Sequence, residues 1–157
     1  MIKKVNNNGI LRHKYVKRET RKMLIFGPFF SIVYIVLSFI SMSKWLAFFY
    51  VIASILLIMM IIFFIVAPII MLKRHNKTIE EISFDETLIT FKVFSALWLK
   101  SRKIKLRRDQ FEAKETIFNW YGKEKKKGVI LKLRNGEEYY FVSDFFNDNE
   151  LIMKNII

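Results

Sequence analysis

Few side chains in this chain have the type and spacing that chemistry requires. Its two histidines, His13 and His75, lie far apart in sequence. Neither has a ligand-type partner one helical turn away, so neither predicts a metal site, and both are expected in solvated or interfacial positions. Ser101 and Ser143 could act as nucleophiles, but no base or oxyanion-stabilising group stands near either in sequence. Glu80-Glu81 and Glu137-Glu138 are adjacent pairs in strand-like segments, so their carboxylates point to opposite faces and make poor acid/base dyads. No phosphate-cradling glycine pattern occurs. Cysteine is absent, which removes disulfides, thiolate ligands and thiol nucleophiles together. The sequence predicts no catalytic residue, no metal and no cofactor; the protein is expected not to be an enzyme.

Charge is the stronger signal. The formal net charge is +13. Residues 1–22 carry eight Lys/Arg against Glu19 alone. A second cluster, Lys123, Lys125, Lys126 and Lys127, is expected to form a turn. Pressed against an anionic lipid surface, each such lysine contributes about 1 kcal/mol. Arg18, Arg21 and Lys22 could serve the same end. Nucleic acid is not an expected partner, because the basic residues mostly flank two apolar runs and membrane topology explains them more simply.

Those runs dominate the first half of the chain. No Asp, Glu, Lys or Arg occurs from Met23 to Ser43 or from Trp45 to Leu72. Each exceeds the roughly 18 apolar residues that mark a membrane-spanning helix. The first is longer than the roughly 7–15 residues of a signal-peptide core, and no small-residue cleavage site follows it, so a retained helix is expected. The link between the runs is so short that the second must return antiparallel. Pro68 is expected to kink or end the second helix. Basic residues crowd both outer flanks while Lys44 stands alone in the link, which predicts a multi-pass protein of the plasma (inner) membrane with both termini cytosolic. Ser31, Tyr34, Ser38 and Ser41 recur at three, four and three positions, one stripe of the first helix. Ala47, Tyr50 and Ser54 lie near the same end of the second. Such residues let helices approach closely and hydrogen-bond, either within the hairpin or with a partner.

Beyond residue 76 the hydrophobic period shifts toward two. Strands are expected over 78–84, 87–95, 101–107, 112–121, 129–134 and 137–142. Asn135-Gly136 between alternating runs predicts a type I′ hairpin turn. Asn147 and Glu150 have capping-box spacing ahead of a C-terminal helix whose Ile152, Met153, Ile156 and Ile157 form one apolar stripe. Trp98, between Leu97 and Leu99, breaks the alternation: it is expected to be buried in a bulge, the alternative being an exposed apolar anchor that faces the hairpin. The fold class read from these patterns is an α+β membrane protein. It comprises a basic tail (1–22), a transmembrane helical hairpin (23–72, as about 23–43 and 45–72) and a cytosolic β domain (77–157).

The hairpin, the segments EISFDETLITFKV and GVILKLRNGEEYYFVSDFF, and the closing helix together resemble bacterial proteins that carry a PH-like domain after two transmembrane helices, including the YcxB-like group. The resemblance implies a small antiparallel PH-like β-barrel or sheet closed by a C-terminal helix. It implies no single activity, since one fold hosts many. The function expected is a membrane-tethered interaction or scaffold module. Its partners would be the lipid bilayer and another membrane protein or a further copy of itself. Immunity or resistance against a membrane-active toxin or bacteriocin, and binding of anionic lipid, are the alternatives.

Overall fold

A computed structural model describes residues 2–41, 48–119 and 125–157. The chain divides into two compact units. One comprises Met1–Tyr15 with Lys73–Ile157, the other Val16–Leu72.

The second unit is helical. Helix α1 (Asn7–Ser41) enters it from the first unit, and α2 (Phe48–Ile61) continues through a π-helical stretch (Ile62–Val66) into α3 (Ala67–His75). Both helical stretches are long and apolar enough to cross a membrane. Only 17% and 11% of the residues in their most apolar windows are buried, so neither is the core helix of a globular domain. Pro68 does not end the second helix. It lacks the amide that would bond one turn back, and the preceding turn widens instead: the Ala67 amide reaches Ile62 five residues earlier. Gly27 of α1 faces Phe64 of the widened turn so closely that a Cβ there would overlap the Phe64 side chain.

The first unit holds two antiparallel sheets. Strands β1 (Ile2–Lys4), β2 (Ile79–Phe84), β3 (Leu88–Val93) and β4 (Lys103–Arg107) form one in that order; β5 (Phe111–Phe118), β6 (Lys126–Leu133) and β7 (Glu138–Val142) form the other. Among the described residues the sheets do not close into a barrel. A single parallel bridge, Thr78 to Tyr140, links them, with the Tyr140 amide donating to the Lys77 carbonyl at 2.9 Å. Alternation along β3 buries Ile89, Phe91 and Val93, and β7 buries Tyr139 to Val142. Helix α4 (Asn149–Ile156) adds Ile152 and Ile156 to the same core. Each large apolar side chain so buried contributes about 1.5–3 kcal/mol.

Several local expectations change. Residues 2–15, read from the sequence as part of a basic tail, fold into the first unit: β1 pairs with β2, and Lys3 forms an ion pair with Asp148. Asn6 caps α1, its Oδ1 accepting from the Gly9 amide at 3.0 Å. The Asn6 side-chain amide donates to the Asp144 carbonyl at 3.0 Å, and its backbone amide to that of Phe145 at 2.7 Å. The hairpin at Asn135-Gly136 is present, but its turn is not type I′. Gly136 alone has positive φ (84°), and its amide donates to the Leu133 carbonyl, the geometry of a three-residue loop with a glycine bulge. The last helix is preceded by Asp148 rather than Asn147, without a side-chain cap bond. Trp98 is 60% exposed, not buried. Lys126 to Gly128 lie in β6 rather than in a turn; residues 120–124 fall outside the described residues.

Gly128 is opposite Val142, and a Cβ there would overlap the Phe141 carbonyl oxygen and crowd the Phe118 ring at 2.6 Å. Gly128→Ala is therefore expected to lower the stability of the β domain by about 2 kcal/mol or more. Urea denaturation of the intact protein in detergent, followed by far-UV circular dichroism, measures it; an unchanged midpoint would contradict the packing described.

Candidate functional site

Three features qualify as candidates: a mostly apolar groove bearing four hydroxyls in the helical unit, the basic clusters, and a histidine pair in the first unit.

The groove is built by α1 and α2. Tyr34, Ile35 and Ser38 line it from one side, and Tyr50, Ala53, Ser54 and Leu57 from the other, around a shallow cavity of about 140 Å³. The helical spacing read from the sequence thus brings Tyr34 and Ser38 to one surface with Tyr50 and Ser54. Ser31 behaves differently. It is buried, and its hydroxyl donates to the Gly27 carbonyl at 2.9 Å, a bond within its own helix. Among the described residues, no hydrogen bond satisfies the hydroxyls of Tyr34, Ser38, Tyr50 or Ser54. The side chains of Ser41 and Ala47 lie outside the described residues.

The basic residues do not gather into one site. Arg18 and Lys22 both reach Glu19, at 3.1 and 3.4 Å, while Arg21 is exposed. Lys126 pairs with Asp144 at 2.9 Å. Lys127 lies opposite Ile117 in the sheet, with its side chain exposed, and Lys125 is exposed just before the strand. Lys123 lies outside the described residues.

The histidine pair was invisible to sequence reasoning. His13 Nδ1 and His75 Nε2 are 2.7 Å apart, and both rings stack on Phe94, with centroids 4.6 and 5.1 Å away. His75 is 3% exposed, so the expectation of two solvated or interfacial histidines fails for it outright. Three segments supply the stack: the first turns of α1, the last residue of α3, and the residue after β3. The sequence could have offered only one clue, an aromatic just past a strand end, and that is too common to identify a partner. Asn76 locks the arrangement, its amide donating to the Phe94 carbonyl at 2.6 Å and to the Lys100 carbonyl at 3.2 Å.

The chemistry of the pair follows from its partners. His75 Nδ1 is buried without a hydrogen bond, as is Arg12 Nε. A bare lone pair costs less there than a bare N–H, so the favoured arrangement has His75 Nε2–H donating to His13 Nδ1. A second proton on His75 would sit on that unpartnered Nδ1. Burial first, then repulsion from His13 and Arg12, pushes its pKa down from 6.5 to about 3. His75 is thus held in its neutral form, bonded to His13 and stacked on Phe94. Among the described residues no group of three metal-ligating side chains occurs.

Compared with family models, curated proteins and solved structures, the chain matches none. The site must be read from its own geometry.

A pH dependence follows. His75 lies beyond the charge-free run, after Lys73 and Arg74. Its folded pKa is depressed, so the unfolded chain takes up a proton that the folded chain refuses. The stabilising effect is complete above about pH 6.5 and is lost as pH falls toward about 3. Its slope approaches about 1.4 kcal/mol per pH unit. Thermal unfolding of the full-length protein across that range should show the loss. His75→Phe, which keeps a ring on Phe94 but cannot titrate, should flatten it; equal slopes in the two proteins would refute the assignment.

Proposed function

We propose that the protein is a two-span membrane protein of the bacterial inner membrane. Its PH-like α+β domain would lie in the cytosol, and it would act as a non-enzymatic interaction module. The observation that carries this reading is the apolar surface of the two long helices. Phe29 is 60% exposed and Phe63 67%, with Ile25, Phe26, Phe30, Ile55 and Met59 similarly open. In water each such side chain forgoes roughly 1.5–3 kcal/mol of burial, whereas lipid covers them all. The charge-free runs and their basic flanks support the same placement, with both termini cytosolic. Two antiparallel sheets followed by a helix that buries Ile152 and Ile156 support the PH-like reading of the domain.

The interaction role rests on the groove. Hydroxyls without partners are costly in hydrocarbon, and a neighbouring helix that supplies acceptors would satisfy those of Tyr34, Ser38, Tyr50 and Ser54. The groove's occupant in this reading is a transmembrane helix of a partner protein.

Two measurements test the proposal. The native chain lacks cysteine, so single cysteines can report topology. The protein should resist alkaline carbonate extraction, with Asn147→Cys labelled only from the cytosolic face and Lys44→Cys only from the opposite one. Release by carbonate would exclude membrane integration. Second, a photo-crosslinking residue at Tyr50 should trap a membrane-protein helix, with yield falling several-fold when Ser38→Leu fills the groove. Adducts to lipid alone would sink the interaction role.

A further inference from the structure

The loop between β3 and β4 presents a feature that neither the groove nor the histidine pair uses. Ala96 and Leu99 exchange two backbone hydrogen bonds, each 2.8 Å, so that Leu97 and Trp98 form the tip of a two-residue turn. Leu97 has φ of +47°, and it is the single non-glycine residue with positive φ among the described residues. Glycine is the usual occupant of that corner, because a β-carbon is strained there. The strained corner leaves Trp98 at the tip, 60% exposed, while Ala96 beside it is fully buried. A tryptophan held out by a strained backbone is a poor use of apolar surface unless something covers it.

The surroundings identify the cover. From Thr87 to Arg108 the chain carries no carboxylate and seven basic residues: Lys92, which pairs with Glu80 of β2, and Lys100, Arg102, Lys103, Lys105, Arg107 and Arg108. Protection of β4, which is the edge of its sheet, accounts for lysines along that strand. It does not account for an exposed tryptophan among them. The base of the loop is tied to His75, Asn76 and Thr78 of the same unit. Asn76 bonds the carbonyls of Phe94 and Lys100, the Phe94 amide donates to Thr78, and the Phe94 ring stacks on His75. Asn76 follows Leu72, the last residue of the charge-free run, by only four positions, about 6 Å of helix.

We propose that the Leu97-Trp98 turn is an interfacial anchor. In this assignment Trp98 enters the headgroup region of the bilayer, with Lys100, Arg102 and Lys103 over anionic headgroups. The assignment rests on the membrane reading given above. Tryptophan favours this depth because its ring is apolar and its indole N–H is polar, and lysine and arginine add attraction to anionic lipid.

The test uses the full-length protein in nanodiscs that contain anionic lipid. Trp45→Phe and Trp120→Phe leave Trp98 as the sole tryptophan, excited beyond the tyrosine absorption. Its emission should be at least halved by lipids brominated just below the headgroup, and quenched less by lipids brominated at the chain ends. Emission unaffected by either lipid would overturn the anchor. A second reporter separates this from failure of insertion itself. Phe63→Trp, in a chain with all three native tryptophans changed to Phe, should be quenched most by the chain-end bromines. Quenching of that reporter without quenching of Trp98 refutes the anchor and leaves the membrane reading intact. Quenching of neither refutes both.

Discussion

The stack of His13, Phe94 and His75 holds together three stretches that are distant in the chain. It joins the first turns of α1 to the last residue of α3 and to the end of β3. All three rings belong to the first unit, so the stack ties its N-terminal residues to its later part. Burial makes the contact demanding. One ring nitrogen of His75 bonds His13, the other has no partner, and a cation, Arg12, acts on it electrostatically. Such a site tolerates a neutral ring and resists a charged one.

Other contacts converge on the same end of the domain. Asn6 caps α1 and reaches the backbone at Asp144 and Phe145, while β1 extends the first sheet. Gly9 lies against Phe145, close enough that a Cβ would stand 3.1 Å from its Cβ. Residues 2–15 are thus an integral part of the domain, although more than fifty residues separate them from the rest of it in sequence. Ordering a segment across so long a gap costs loop-closure entropy, which grows slowly with length. Cap, strand pairing and ring stack together offset it. In the proposed membrane setting the two apolar helices would close that gap as a preformed hairpin and reduce the cost further.

Much of the rest was legible locally. β2, β3, β4 and β7 fall where alternation of apolar residues placed them, because a half-buried strand must alternate. The hairpin at Asn135-Gly136 was legible for a similar reason, though its turn type was not: the sequence shows that glycine is there, not which neighbours share its positive φ. The stripe of Tyr34 and Ser38 was legible from helical spacing. That they share a groove with Tyr50 and Ser54 of α2 while Ser31 turns back on its own helix was not, because both choices satisfy the same spacing.

What the sequence by itself determined is the segregation of the chain. Charge-free runs, basic flanks and the switch of period near residue 76 are properties of consecutive residues, and solvent acts on them directly. What only the tertiary structure decided are the pairings across long separations. His13 and His75 look like two unrelated histidines until α1 and α3 bring them within hydrogen-bond distance. Trp98 looks like a core residue until the strained corner at Leu97 turns it outward. Hydrophobicity alone favours burying a tryptophan; backbone geometry, imposed by the pairing of Ala96 with Leu99, determined the opposite.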